Sequence, residues 1–328
     1  MNIEMTPIWD KVFPQDPSLK HSKVAIPTHF GTTLAADVYE PADAPSPRPA
    51  IAVSGPFGAV KEQSSGLYAQ ELARRGFLTI AFDPSFTGES SGVQRYMNSP
   101  DINTEDFQAA VDYLVNRSDV TNVGLLGVCG WGGVAINTAA IDTRVKATVA
   151  STMYNMSEVA QKGYFDEGDS YAARHEQREA LNAQRTRDFA TGSYARAGGV
   201  PDEAPAEDAP EFLRGYYNYY KTERGYHARS LNSNGGWAVT AGLSLLNTPQ
   251  QAFAHEIATP VLLVHGSEAH SRYFSERTYE RLTAGEFADN KELLIIDGAT
   301  HTDLYDQFDA IPFDKLEQFY AEALGRMG

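Results

Sequence analysis

Gly124-Leu125-Leu126-Gly127-Val128-Cys129-Gly130-Trp131-Gly132-Gly133 is the stretch on which the fold turns. Residues 122–128 are mostly apolar and read as a buried strand. Small residues and one cysteine follow, and then residues 134–141 have the pattern of a small-residue helix. A strand that turns this sharply into a helix needs small neighbours, because flanking Cβ atoms would collide. Gly127 and Gly130 meet that need. The Cys129 side chain would project from the end of the sheet. The following helix would aim N–H groups and its positive end at the sulfur, and both favour a thiolate. The layout is that of a nucleophile elbow.

Apolar β-branched runs alternate with helical patterns on both sides of this turn, which predicts βα units around a mainly parallel sheet. Residues 23–28 and 33–39 flank Phe30-Gly31-Thr32 as an opening hairpin. Strands are expected at 50–54, 78–82, 145–151, 260–265 and 292–296. Helices are expected at 61–75, at 103–116 with Asn103 or Thr104 as cap, at 271–282 and at 313–324. Between 154 and 240 no clear strand appears, and the segment carries Tyr216, Tyr217, Tyr219, Tyr220 and Tyr226. The division is therefore a core of 1–153 and 241–328 with a helical cap at 154–240. Such insertions lie over strand ends, where open α/β sheets bind ligands. The tyrosines read as the cap's own core.

Composition narrows the partners. Against 27 basic residues stand 43 acidic ones, a net charge of -16. That balance disfavours nucleic acid and anionic membrane surfaces as partners. Cys129 is the only cysteine, so no internal disulfide and no cysteine-rich metal site can form. No basic-then-apolar leader opens the chain, and no run approaches the roughly 20 apolar residues that span a bilayer. A cytoplasmic location is expected, with no metal and no cofactor. A homodimer is compatible with these features.

His301 follows the last expected strand in Asp297-Gly298-Ala299-Thr300-His301-Thr302-Asp303. A base there can take the thiol proton and return it to a leaving group. Taken together, the Cys129 elbow, Gly55-Pro56-Phe57-Gly58 with Lys61-Glu62-Gln63, Phe82-Asp83-Pro84 with Gly88-Glu89-Ser90, and the His301 loop make nearly the whole chain resemble an α/β hydrolase. The resemblance is to the dienelactone-hydrolase-like branch, which borders the Xaa-Pro dipeptidyl-peptidase-like hydrolases. It implies an α/β-hydrolase fold and an acyl-enzyme reaction on a small-molecule ester, lactone or thioester, with Cys129 as nucleophile and His301 as general base.

The resemblance also implies an acid after strand 260–265, where Glu268 stands beside Ala269, the position the familiar spacing selects. Asp83 is the second choice. The oxyanion would be held by the N–H groups of Gly130 and Phe57, since Pro56 has none. Phe57, Trp131 and His270 are expected to border the substrate, with Trp237 a further option. His265 reads as a satisfied core residue. Trp131 departs from the family's small-x-nucleophile-x-small pattern. That departure and the missing carboxylate at Ala269 keep open a non-catalytic ligand-binding relative, and an acyltransferase or cyclase on the same fold is a further alternative.

Overall fold

The computed structural model describes residues 3–42 and 45–325. An eight-stranded sheet runs in the order β1-β2-β4-β3-β5-β6-β7-β8. The strands are β1 (Leu19–Pro27), β2 (Thr33–Pro41), β3 (Arg48–Ser54), β4 (Leu78–Phe82), β5 (Val120–Val128), β6 (Val145–Ser151), β7 (Val261–Gly266) and β8 (Lys291–Ile296). β1 pairs antiparallel with β2, and β2 antiparallel with β4; every other pairing is parallel.

Ten α-helices accompany the strands among the described residues: α1 (Ser64–Arg74), α2 (Pro100–Val115), α3 (Gly130–Ala139), α4 (Met156–Lys162), α5 (Tyr171–Thr191), α6 (Glu211–Tyr220), α7 (Gly242–Asn247), α8 (Arg272–Thr283), α9 (Asp303–Asp306) and α10 (Phe313–Leu324). The expected elements all form, with ends shifted by a few residues. The start of α2 moves back three residues, to Pro100 after Ser99. Proline suits the first turn because its missing N–H is one that a helix start leaves unpaired anyway. Asn103 and Thr104, expected as caps, lie inside that helix.

Both sheet faces are covered, and the strands show it by alternation. Ile51, Val53, Leu126 and Val128 face a core built with Tyr68, Leu72, Leu316 and Tyr320 of α1 and α10. Ala50, Ala52, Val123 and Leu125 face the opposite core with Phe107 of α2 and Val134 of α3. The stretch between β6 and β7 contains α4 to α7 and no strand of the sheet, only an isolated bridge between Arg196 and Ala238. Among the described residues no helix is long and apolar enough to cross a membrane.

Candidate active site

Cys129 sits between β5 and α3 with φ 58 and ψ -128. A left-handed φ is unusual for a residue with a side chain and marks local strain. The surroundings hold it there. The Cys129 N–H donates to Ser151 O at 2.9 Å, and its carbonyl accepts from Gly132 N at 2.9 Å and Tyr154 N at 3.0 Å. Gly127 is dictated by the same turn: a Cβ there would lie 2.1 Å from Trp131 O.

Trp131 fits for a reason remote in sequence. Its Cβ lies 2.9 Å from where a side chain on Gly55 would begin, so the absence of one at Gly55 makes the room. The indole turns away from Cys129 and packs edge-on against Phe82 and Phe107, at ring-centroid distances of 5.6 and 5.2 Å. Trp131 is therefore a core residue, and its expected role at the substrate is corrected. The large side chain leaves the elbow intact.

The Cys129 sulfur is hydrogen-bonded with the Tyr305 hydroxyl and accepts from the backbone N–H groups of Phe57 and Gly130. The two expected oxyanion donors thus converge at the thiol. Burial nevertheless pushes the thiol pKa up from its usual value, and the three hydrogen bonds only partly offset it. The expected helix-favoured thiolate is corrected: desolvation outweighs the helix terminus, and the resting sulfur is a neutral thiol.

A cavity of about 240 Å³ opens on Cys129. Its walls are Phe57, Tyr154, Tyr164, Tyr216, Tyr220, Trp237 and Tyr305, with Met156, Val159, Val200 and Asn232. Among the described residues, no Lys, Arg, Asp or Glu lines it. Phe57 and Trp237 stack at 4.4 Å. Tyr216 and Tyr220, expected as cap core, line this cavity, whereas Tyr219 packs in the core. His270 stands behind the wall, hydrogen-bonded through Nε2 to the Tyr154 hydroxyl and stacked on Phe212 at 4.3 Å. It does not border the cavity directly. Burial lowers its pKa to about 4.

His301 is buried beside Tyr305. Its Nε2 lies 3.0 Å from the Tyr305 hydroxyl, and its Nδ1 lies 2.7 Å from Ser271 Oγ and 2.8 Å from Thr152 Oγ1. Burial first, then the neighbouring His270 and His265, hold its pKa well below the usual value, so it rests neutral. Glu268 is not among its partners. That carboxylate is exposed and accepts a hydrogen bond from Ser267 Oγ at 3.2 Å. The expectation that Glu268 orients His301 is corrected: the loop after β7 turns Glu268 to solvent, and Ser271 and Thr152 occupy the Nδ1 side. His265 is satisfied on both nitrogens, by Ser275 Oγ at 2.7 Å and Ser271 Oγ at 2.9 Å.

Asp83 serves elsewhere too. It is fully buried and bonds Lys61 Nζ at 2.9 Å, beside Glu62 at 2.6 Å and Glu89 at 2.7 Å from the same ammonium. These three carboxylates have oxygens within 4.8 Å of one another, and Lys61 supplies the cation among them. Arg229 joins from the far side, 2.9 Å from Glu62 and 2.8 Å from Asp10. Burial pushes Glu62 up, but Lys61, Lys11 and Arg229 outweigh it and hold its carboxyl below the usual range. For Asp83 burial wins and its pKa is raised.

The loop carrying Phe57 is tied to the segment after α6. Gly58 O accepts from Leu231 N at 2.8 Å, Asn232 N at 3.2 Å and Ser230 Oγ at 3.0 Å, while Asn232 Nδ2 donates to Phe57 O at 2.9 Å.

A mainly parallel eight-stranded sheet with a strained cysteine turn after β5 and a histidine loop after β8 defines an α/β hydrolase. Residues 31–303 match the X-Pro dipeptidyl-peptidase (S15 family), and the chain belongs to that family. It is one of the two groups the sequence motifs resemble. The uncharacterized protein PA2218 of Pseudomonas aeruginosa is 48% identical over 328 residues, 99% of this chain and 86% of that protein. Its crystal structure superposes with a TM-score of 0.93, covering 98% of this chain and 99% of that one. The uncharacterized protein YcjY of Escherichia coli is 35% identical over 303 residues, 89% of this chain and 95% of that protein. The α/β hydrolase GrgF from Penicillium sp. sh18 shares the fold, with 18% identity, a TM-score of 0.75, and coverage of 94% of this chain and 100% of that one.

Thr152, Ser271, Tyr305 and Asn232 escaped the sequence reading. Tyr305 had a legible signal, standing four residues after His301, a spacing that brings side chains together on a helical turn. Thr152 had a weaker one, as a polar residue where an apolar strand ends. Ser271 and Asn232 carried none.

Proposed function

We propose that this hydrolase cleaves a neutral carboxylic ester, thioester or lactone through an acyl-enzyme on Cys129, with His301 as the base. One observation carries the reading: the sulfur occupies a strained strand-to-helix turn, opens on a cavity, and lies against the N–H groups of Phe57 and Gly130. Attack by sulfur would place the developing oxyanion near those two donors, which stabilise charge without reorganising. The uncharged, aromatic wall favours an uncharged acyl group. A dipeptide with a free α-ammonium calls for a carboxylate in the cavity, and among the described residues none lining it has one. That supports esters or thioesters over X-Pro peptides.

The non-catalytic reading rests on one specific observation, the neutral thiol and neutral imidazole without a carboxylate at His301. Incubation with p-nitrophenyl butyrate, followed by mass spectrometry, separates the two. The proposal expects a butyryl adduct on Cys129 and loss of turnover in Cys129→Ala. Turnover by Cys129→Ala at the unchanged rate would refute it. Product analysis with an added alcohol distinguishes hydrolysis from acyl transfer.

A further inference from the structure

We infer that the Tyr305 hydroxyl carries the proton between Cys129 and His301, a role that rests on the nucleophile reading above. Among the described residues Cys129 and His301 form no direct hydrogen bond. Instead the Tyr305 hydroxyl contacts both, bonding the Cys129 sulfur on one side and His301 Nε2 at 3.0 Å on the other.

The polarity of this chain follows from what lies behind the imidazole. Thr152 Oγ1 is also 3.2 Å from the His301 carbonyl, which can only accept. Its proton therefore has a place to go, and its oxygen is free to accept from Nδ1. Ser271 Oγ is 2.9 Å from His265 Nε2, and His265 Nδ1 is 2.7 Å from Ser275 Oγ. With the His265 proton on Nδ1, Ser271 donates to His265 and accepts from His301. Both hydroxyls then select the Nδ1–H tautomer of His301, leaving the Nε2 lone pair aimed at Tyr305. Completing the chain, Tyr305 O–H donates to Nε2 and the Cys129 thiol donates to the Tyr305 oxygen.

In acylation the sulfur forms a bond to the substrate carbonyl carbon as the thiol proton passes to the Tyr305 oxygen. The Tyr305 proton passes to His301 Nε2 in the same event, so the phenol gives one proton and gains one. The carbonyl π pair moves onto oxygen. When the carbonyl reforms, the bond to the leaving group breaks, and that group takes a proton from Tyr305, which His301 replenishes. Water then adds to the acyl carbon, loses its proton along the same path, and the thiol is restored as the carbon–sulfur bond breaks. The sum is one water consumed, with an acid and an alcohol or thiol released. A phenol suits this exchange because burial keeps it from resting as a phenolate. Passing one proton while receiving another avoids a phenolate at Tyr305, so the charges formed are the His301 imidazolium and the oxyanion held by the Phe57 and Gly130 N–H groups.

The test is stopped-flow acylation of the full chain by p-nitrophenyl butyrate, comparing the unchanged protein with Tyr305→Phe. Tyr305→Phe is expected to slow acylation about 100-fold at pH 7. The unchanged protein is expected to show a curved proton inventory in mixed H2O and D2O, the mark of two protons in flight. A purely structural role for the phenol would not bend that curve. Acylation of a folded Tyr305→Phe within about threefold of the unchanged protein, or a linear inventory in the latter, overturns the relay while leaving Cys129 as nucleophile. If Tyr305→Phe fails to fold, the inventory decides alone. Failure of the unchanged protein to form any Cys129 adduct overturns the nucleophile reading and the relay with it.

Discussion

Replacing Lys61 with methionine tests whether the charge cluster beneath the Phe57 loop depends on its ammonium. Lys61 is buried, and three carboxylates lie 2.6, 2.9 and 2.7 Å from its Nζ. Methionine nearly preserves volume, so the change removes charge with little cavity. Removing one partner of a buried ion pair typically costs about 3–5 kcal/mol, and three anions sharing one cation put Lys61→Met at the upper end. That is a large fraction of the roughly 5–15 kcal/mol typical of a folded protein. The loss should depend on pH with a definite sign. In the unchanged protein the folded-state pKa of Glu62 is depressed, so its stabilisation is present above the unfolded carboxyl pKa and is lost as pH falls through the folded value. Without Lys61, burial would dominate at Glu62 as it already does at Asp83. The folded-state pKa values would then lie above the unfolded ones, and the deficit would grow as pH rises past them. Urea unfolding followed by tryptophan fluorescence at pH 5 and pH 8 reads this directly. Lys61→Met should fall behind the unchanged protein by more at pH 8. A difference under about 1 kcal/mol, or one larger at pH 5, would refute the assignment of Lys61 as the cluster's essential cation.

Other outcomes follow from the site. Iodoacetamide labelling of Cys129 should keep accelerating through pH 9, because burial raises the thiol pKa; a plateau below pH 8 would contradict that. Glu268→Gln should leave esterase turnover within about twofold, as expected for an exposed side chain away from His301. Ser271→Ala should slow turnover and lower stability by about 1–3 kcal/mol, because His265 Nε2 loses its partner; equal activity and stability would remove Ser271 from the arrangement. Gly127→Ala should destabilise by upwards of about 3 kcal/mol in thermal unfolding, since its Cβ would meet backbone at 2.1 Å and backbone cannot swing aside.

What the sequence made legible were requirements met by the chain close to each residue. The glycines around Cys129 announce the elbow because steric exclusion acts over a few bonds. Phe57 is readable as a donor because the residue before it, Pro56, has no N–H. Trp131 was misread because its tolerance depends on Gly55, far away in sequence, having no side chain. Glu268 was favoured by spacing after β7, but spacing does not say which way a loop faces. The thiol's protonation state depends on burial, which the helix-terminus argument cannot see. Thr152 and Ser271 are common residues whose hydroxyls gain meaning only when two strand ends and α8 meet around one imidazole.

The contacts between Gly58 and residues 230–232 constrain how this protein can change its substrate. Asn232 lines the cavity and also donates to the carbonyl of Phe57, the residue whose N–H meets the sulfur. On the proposed mechanism, selectivity and turnover are coupled at one joint. An exchange of residues 230–232 for those of a relative would shift the proposed oxyanion donor as well as a pocket wall. Variants selected for a new acyl group should then change in kcat along with KM, and successful transplants should carry the Gly55-Pro56-Phe57-Gly58 loop with them.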